Sequence, residues 1–376
     1  MAPLFAFPTH SPMKQTTLHE VHERAGGKLI EFGGWHMPVQ YGPILDEVRC
    51  VRERVGLFDL GHMGRVFFGG PDAVAFLDRL VTNWVGHIPV GSIRYAVLCR
   101  EDGNALDDLL VYREEQGVYA VINASNTEAD LAWMRAHTGE LDVTIEDRTE
   151  ATAMLALQGP CSQEVLSRVA PDCDLAGLGY YKFTRGVVCG LDTHISRTGY
   201  TGEDGFELSF PAAEAPRVWA ALIAAGAPEG LRPIGLGARD VLRLEAGMAL
   251  YGHELDGEHN PVEAGLGFAI SFKAEKGDWI GREALAAVKA APTKKLMGVT
   301  TPGPRIPRQG QRLFRGEEEV GYVCSGAPSP TLETNIASVY LGLDAAEPGT
   351  ALEVDFKGKR QPCTVQALPF FSRTRK

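Results

Sequence analysis

Two adjacent carboxylates inside an otherwise apolar run are the residues of this sequence best suited to chemistry. Asp107 and Asp108 follow a predicted turn at 102–104 and stand within a predicted strand at 106–112. Because side chains alternate along a strand, the two carboxylates must point to opposite faces of a sheet. A carboxylate on an apolar face costs free energy unless it is paired, hydrogen-bonded or used by a ligand. The pair by itself therefore leaves open a structural aspartate near a turn and a functional one.

A second candidate site is the glycine-rich segment 197–207. Its three glycines at a spacing of three let the backbone approach a ligand closely. The segment does not predict a phosphate loop, because no Lys-Ser or Lys-Thr pair follows it and its acidic residues repel phosphate. Glu207 instead suits a ligand edge with two N–H donors, such as an aminopyrimidine or pterin ring, on which Tyr200 can stack. The alternative is a β-hairpin turn whose acids are solvated.

Arg239 is the third candidate, because it falls in the first turn of a predicted helix at 237–248. Cations are favoured at the other end of a helix, so the position is electrostatically costly. An arginine that binds a carboxylate ligand as a bidentate fork would explain this placement. The alternative is a surface salt bridge in the region of Asp240.

Length and charge narrow the class of protein. The chain has 376 residues, of which 44% are hydrophobic and 23% charged, as expected for a globular protein of two or three domains. A net charge of −11 without a basic cluster argues against nucleic acid as a partner. No apolar run approaches the roughly 20 residues that cross a membrane. Residues 1–14 lack the features of a secretory signal or a transit peptide, so we expect a cytoplasmic protein.

The cysteines and histidines predict no metal centre. The seven cysteines are scattered without a Cys-x-x-Cys pair, which is typical of reduced, hydrophobic thiols. His19 and His22 are three residues apart, whereas a zinc-binding helix needs a spacing of four. Motifs for a nucleophilic serine or a reactive cysteine are also missing, so covalent catalysis is disfavoured.

The order of predicted elements indicates an α+β fold in which one unit is used twice. From about residue 65, and again from about residue 151, the pattern is strand, helix, two or three strands, helix. Gly-Pro pairs at 70–71 and 159–160 begin the first helix of each copy. This order fits two ferredoxin-like split βαβ units. From residue 294 onward, short strands separated by Gly, Pro and Asn predict an all-β terminal domain, either a barrel or a sandwich.

Several segments, taken in order along the chain, resemble one protein family. They are residues 33–41, 56–63, 106–109, 199–203, 235–248, 260–261, 280–285 and 329–332. Together these segments resemble the T-protein of the glycine cleavage system, an aminomethyltransferase, from about residue 15 to residue 371. Each motif is short, and it is their joint order and spacing that make the resemblance specific.

The resemblance implies a cloverleaf of three domains around a central folate site. The first domain is expected to be discontinuous, with residues 1–57 and 149–285, and the second to cover 58–148 and carry Asp107. Residues 286–376 are expected to form the C-terminal β-barrel. The implied reaction moves the aminomethyl group on the lipoyl arm of the H-protein to tetrahydrofolate, giving 5,10-methylene-tetrahydrofolate and ammonia. Neither a metal nor a flavin takes part.

The resemblance also assigns roles to individual residues. Asp107, the first of the pair, is expected to be the catalytic aspartate. The expected folate contacts are Tyr200, Glu207, Arg239, Asn123, Tyr95 and Arg373. Gly61 departs from the family, which usually has serine there. The partners implied are tetrahydrofolate and, transiently, lipoylated H-protein, with neither nucleic acid nor a membrane, and the chain is expected to be a monomer or a weak dimer.

Two other functions are compatible with the same scaffold. One is a tetrahydrofolate-dependent demethylase of a small methylated substrate. The other is a folate-binding accessory protein without turnover. Such accessory relatives carry a cysteine motif near the folate site and usually lose the Leu-Asp-Asp-Leu sequence, whereas this chain keeps it at 106–109.

Overall fold

A small hairpin opens the part of the chain that the computed structural model describes, residues 13–373. Helix α1 (His19–Arg24) precedes strands β1 (Lys28–Phe32) and β2 (Trp35–Gln40), and α2 (Ile44–Glu53) follows them. Gly33 and Gly34 both have positive φ, 55° and 84°, as a two-residue hairpin turn requires. Strand β3 (Gly56–Asp59) comes next and is buried along its whole length.

The next stretch forms a five-stranded antiparallel sheet with two helices on one face. Its elements are β4 (Gly64–Gly69), α3 (Ala73–Leu80), β5 (Ser92–Cys99), β6 (Ala105–Glu114), β7 (Gly117–Ile122), α4 (Thr127–Ala136) and β8 (Thr144–Asp147). The strand order is β5-β6-β7-β4-β8. Phe76 of α3 and Met134 of α4 pack with Leu109 and Val111 of β6 in one buried cluster. The helices therefore cover the face of β6 that Asp107 shares.

A six-stranded sheet follows, and it takes one strand from much earlier in the chain. Its later elements are β9 (Thr152–Gln158), α5 (Ser162–Val169), β10 (Phe183–Val188), β11 (Leu191–Ser196), β12 (Gly205–Pro211), α6 (Ala215–Gly226), β13 (Arg232–Pro233) and α7 (Leu236–Glu245). The order is β10-β11-β12-β9-β3-β13, so β3 lies between β9 and β13. The chain thus starts this sheet, builds the five-stranded sheet, and then returns.

The C-terminal part is a closed barrel. After α8 (Arg282–Ala290) come β14 (Lys294–Thr301), β15 (Arg312–Arg315), β16 (Glu318–Ser329), β17 (Thr334–Gly342), β18 (Ala351–Asp355) and β19 (Arg360–Gln366). Strand β14 pairs with β17 on one side and with β19 on the other, which closes the ring. Of the two predicted forms, barrel and sandwich, the barrel is the one observed. The α+β class with a terminal barrel is confirmed.

One buried carboxylate joins α2, α7 and the barrel. Glu245 accepts hydrogen bonds from Arg52 Nε and Nη2 at 2.9 and 2.7 Å. It also accepts from the hydroxyls of Ser329 at 2.5 Å and Thr331 at 3.0 Å. Its backbone carbonyl accepts from the N–H of Phe371 at 2.7 Å. We call these five residues the Glu245 clasp. Within residues 13–373, no helix is long and apolar enough to cross a membrane.

Candidate functional site

A cavity of about 430 Å³ lies between the two sheets. Its walls come from β6 and β7 of the five-stranded sheet, from β9 and β12 of the six-stranded sheet, and from the start of α7. The turn between β1 and β2, the loop 60–63, strand β5 and the segments 123–125, 199–200 and 246–268 also line it, while the described barrel strands contribute no lining residue. The volume lies in the ordinary range for sites that hold small organic ligands.

Five of the predicted site residues meet at this cavity. Those that line it are Tyr95, Asn123, Tyr200, Glu207 and Arg239. Two do not. The guanidinium of Arg373 lies 3.2 Å from Asp204 and 5.0 Å from the ring centroid of Tyr180. Asp107 is fully buried behind the wall.

Of the acidic pair, Asp108 lines the cavity, whereas Asp107 was expected to be the catalytic residue. The predicted alternation of faces is observed: Asp107 points toward the helices, and Asp108 points toward the cavity. Asn123 bridges the two, because its Nδ2 donates to Asp107 Oδ1 at 2.8 Å and to Asp108 Oδ1 at 3.0 Å. The placement has a physical cause, since α4 packs on the face of the sheet that Asp107 shares.

The environment of Asp108 raises its pKa to about 7. Burial is the largest cause, and the negative charge of Asp107 adds to it. Hydrogen bonds from Tyr95 and Asn123 act in the opposite direction, because they stabilise the charged form. Asp108 is therefore a carboxylate that can gain or lose a proton near neutral pH.

Glu207 is the second carboxylate at the cavity, and only 6% of it is exposed. Burial raises its pKa to about 7, while Arg239 and the hydroxyl of Tyr112 favour the charged form. The Tyr112 hydroxyl donates to Glu207 Oε2 at 3.5 Å, the long end of hydrogen-bond range. Glu207 thus has acceptor capacity that can serve a ligand.

Arg239 and Tyr200 form one wall. The guanidinium carbon of Arg239 lies 4.5 Å from the centroid of the Tyr200 ring, a cation–π contact. The Tyr200 hydroxyl donates to the carbonyl of Ala249, which fixes the ring. The alternative in which Arg239 makes a surface salt bridge is wrong, because Asp240 pairs with Arg243 at 2.8 Å. Arg239 lines the cavity instead.

Two other acids of the glycine-rich segment, Glu203 and Asp204, are paired with arginines and are only partly exposed. Asp204 accepts from Arg197 Nε and Nη2 at 2.9 and 2.5 Å. Glu203 pairs with Arg52 at 3.1 Å. Gly199 packs closely on Gln158, because a Cβ there would lie 2.0 Å from Gln158 Oε1 and would displace that side chain. The segment is a packed wall that leaves Glu207 for the cavity.

His62 is a cavity residue that sequence reasoning missed. It is 1% exposed, and its Nδ1 makes no hydrogen bond within the described part of the chain. Burial and the charge of Arg239 lower its pKa to about 3, so the ring is neutral. The only sequence signal was its place in the family motif at 56–63, where Gly61 precedes it. A Cβ at Gly61 would come within 3.0 Å of Asp59 Oδ1.

A buried arginine holds the loop that carries His62. Arg65, from β4, is 0% exposed and donates to the carbonyls of Gly61 at 3.2 Å and Met63 at 2.5 Å. It also donates to the hydroxyl and the carbonyl of Thr152 at 2.8 and 2.9 Å. The loop is thereby fixed between the two sheets. The described residues contain no cluster of three or more His, Cys, Asp or Glu arranged to hold a metal ion.

Two family descriptions match this chain. The GCVT N-terminal domain matches residues 18–274, and the glycine cleavage T-protein C-terminal barrel domain matches residues 294–372. The aminomethyltransferase of Geobacillus kaustophilus strain HTA426 is 46% identical over 366 residues, which are 96% of this chain and 100% of that protein. The aminomethyltransferase of Streptomyces avermitilis is 45% identical, over 96% of this chain and 98% of that protein.

A solved structure is similar over nearly the whole fold. The crystal structure of the glycine cleavage system aminomethyltransferase T from Bartonella henselae has a TM-score of 0.89 and 32% identity. The similarity covers 96% of this chain and 98% of that one. Together with the two matching domains and the full-length relatives, this shows that the chain belongs to the aminomethyltransferase, or glycine cleavage T-protein, family.

Proposed function

We propose that the protein transfers the aminomethyl group carried on the lipoyl arm of H-protein to tetrahydrofolate, with release of ammonia and dihydrolipoyl H-protein. The product is 5,10-methylene-tetrahydrofolate. The observation that carries the proposal is one cavity lined by two carboxylates, the partly buried Asp108 and the buried Glu207, whose surroundings raise the pKa of each to about 7. Family membership supplies the reaction class.

Glu207 recognises the pterin. The 2-amino group and the adjacent ring nitrogen of a pterin offer two N–H donors along one edge, and a carboxylate accepts both. Arg239 favours the charged form of Glu207, which is the form that accepts. Tyr200, braced by Arg239 and by the carbonyl of Ala249, supplies a flat surface for the ring system.

Asp108 acts at the transferred carbon. As ammonia departs, positive charge develops on that carbon, and an ionised carboxylate beside it stabilises the charge. Asp108 also accepts the N–H of the attacking folate nitrogen and holds that nitrogen in line. Because its pKa is about 7, Asp108 can take up the released proton as well, which a carboxylate with an ordinary pKa of about 4 does poorly.

The test is the Asp108→Asn variant. With aminomethyl-lipoyl H-protein and tetrahydrofolate, we expect the rate of methylene-tetrahydrofolate formation to fall by about 10²- to 10³-fold, as when an aligned charge-stabilising group is lost. Folate binding, measured by calorimetry, should persist. Glu115→Gln, an exposed acid at the other end of the same strand pair, is the control. Unchanged turnover in Asp108→Asn, or methyl-tetrahydrofolate formed from a small methylated substrate, would contradict the proposal.

We also propose the domain limits, the cellular location and the oligomeric state of the protein. The expected division into 1–57 with 149–285, 58–148 and 286–376 is supported by sheet membership, since β3 belongs with β9–β13. The proposed limits cut β3 (Gly56–Asp59) and α8 (Arg282–Ala290), so limits shifted by a few residues would keep both elements whole. The protein acts in the cytoplasm as a monomer or a weak dimer, with H-protein as a transient partner.

A further inference from the structure

Behind Asp108 lies a second pair of carboxyl groups, those of Asp107 and Asp130. Asp130 belongs to α4, and the two residues are 0% and 4% exposed. Their side chains are within hydrogen-bonding reach of each other. None of the ion pairs in the described part of the chain involves either residue, so no cation balances two charges here. Two ionised carboxylates cannot hydrogen-bond, and therefore the contact requires one proton.

The hydrogen-bond donors around the pair decide which carboxyl holds that proton. Asp107 accepts from the backbone N–H of Asn123 at 3.1 Å, from Asn123 Nδ2 at 2.8 Å and from Asn126 Nδ2 at 2.7 Å. Three N–H donors stabilise the charged form of Asp107. Asp130 Oδ2 has no hydrogen-bond partner within residues 13–373. The charge therefore belongs on Asp107 and the proton on Asp130.

We propose that Asp130 stays protonated at neutral pH, donates its proton in a hydrogen bond to Asp107, and so makes Asp107 a positioning residue for Asn123 and Asp108. This role rests on the proposed function of Asp108. Burial and the negative charge of Asp107 raise the pKa of Asp130 to about 11, in line with that geometry. The other titratable groups that face the pair are Asp108 and Tyr251, and neither is a cation.

The pair orients Asn123 because it engages one specific atom of the amide. Asn123 Nδ2 has two hydrogens, and they reach Asp107 Oδ1 and Asp108 Oδ1. A flipped amide would place its carbonyl oxygen against both carboxylates, which is repulsive. Asn123 lines the cavity, so its carbonyl oxygen is the atom left to face a ligand N–H. Asp107 thus sets the orientation of Asn123, the position of the Asp108 carboxylate and, through its charge, the pKa of Asp108.

The experiment compares Asp130→Asn with Asp130→Leu. A carboxamide is neutral and donates an N–H to Asp107, so Asp130→Asn should keep kcat within about threefold and leave its pH profile in place. Leucine has a similar size and no donor, so Asp130→Leu should lower kcat about 10- to 100-fold, as a misplaced catalytic group does, with little change in KM for folate. Glu128→Gln, an exposed acid on the same helix, is the control.

Two readouts do not depend on activity, so they separate this inference from the proposed reaction. In infrared difference spectra at about pH 8, the wild type should show the C=O stretch of a protonated carboxyl that Asp130→Asn lacks. A carboxyl with a raised folded pKa loses stabilising free energy as pH rises from its unfolded value of about 4. The unfolding constant of Asp130→Asn should therefore fall relative to that of the wild type, by up to about tenfold for each pH unit above that value.

Specific results would overturn the inference. They are a wild-type spectrum without the protonated carboxyl band, a stability difference between wild type and Asp130→Asn that does not change with pH, or a folded Asp130→Asn as impaired as Asp130→Leu. If Asp130→Leu fails to fold, the spectra and unfolding curves of Asp130→Asn still decide. If the transfer assay fails for the wild type while both readouts hold, the proposed function is at fault and the proton assignment stands.

Discussion

At the scale of single residues, the proposed function assigns binding and chemistry to two different carboxylates of the cavity, each with a pKa raised to about 7. Glu207 lies beside the positive charge of Arg239. Asp108 instead lies among neutral hydrogen-bond donors and near the negative charge of Asp107. Two carboxylates in different environments can take different roles. The cavity therefore predicts two distinct pH effects near neutrality.

The first pH effect concerns turnover. In the proposed mechanism Asp108 acts in its charged form, so kcat should fall about tenfold per pH unit as the pH drops below about 7, the pKa of Asp108. The pH dependence of kcat at saturating folate measures this. An acid limb that stays in place in the Asp108→Asn variant would assign the titration to another group.

The second pH effect concerns affinity. Glu207 accepts two N–H groups only when ionised, so the Kd for folate should rise as the pH drops below about 7. In Glu207→Gln we expect affinity to fall about 10- to 100-fold, because one amide hydrogen then faces a donor, and the pH dependence to disappear. Calorimetric titrations across roughly pH 6 to 8 measure both. A variant that binds as well as the wild type would exclude Glu207 as the pterin acceptor.

The sequence predicted much of this site, but not which aspartate reaches it. The alternation rule correctly put Asp107 and Asp108 on opposite faces. It could not assign the faces, because that depends on α4 packing against Leu109 and Val111. His62 was missed for a similar reason: a lone histidine has no periodic signal, and its place is set by the long-range contacts of Arg65.

At the scale of elements, local sequence patterns predicted helices and strands correctly, but they did not predict how distant strands pair. The predicted helix at 237–248 is observed as Leu236–Glu245, and the predicted strand at 106–112 lies inside β6. Apolar periodicity and Gly-Pro starts determine such elements locally. Whether the last strands form a barrel or a sandwich depends on the pairing of β14 with β19, which no local pattern encodes.

Among the contacts that join elements, those of Arg65 are expected to contribute strongly to the free energy of unfolding. In Arg65→Met, the carbonyls of Gly61, Met63 and Thr152 lose their buried donor. We expect the free energy of unfolding to drop by about 3 to 5 kcal/mol, as for a broken buried polar network. Urea unfolding measures it, with the exposed Arg135→Met as control. A drop no larger than that of the control would show that the network adds nothing to stability.

At the scale of the whole molecule, the barrel supports a cavity that it does not line. His253 lines the cavity, and its Nδ1 lies 3.0 Å from the carbonyl of Cys324 in the barrel. The Glu245 clasp joins α2, α7 and the barrel at a second place. The barrel therefore acts as a brace for the segment 246–268.

Weakening the clasp should affect folding and binding together. In Glu245→Gln, an amide N–H group faces the two N–H donors of Arg52 that the carboxylate accepts in the wild type. We therefore expect the free energy of unfolding to drop by about 2 to 4 kcal/mol. Folate affinity should weaken while the acid limb of kcat stays in place. Urea unfolding and calorimetry measure the two effects, with the exposed Glu347→Gln as control. Unchanged affinity in a destabilised variant would contradict the bracing role.

The position of β3 between β9 and β13 has a consequence for the newly made chain. Leu57 and Phe58 of β3 are buried only when strands from 152 onward are available. The five-stranded sheet, whose strands lie between 64 and 147, can close before that point. During synthesis β3 therefore leaves the ribosome before its partner strands are made. It stays an unpaired apolar strand while the five-stranded sheet, which follows it in the chain, can form. Over that interval the apolar side chains of this short strand stay open to non-native contacts.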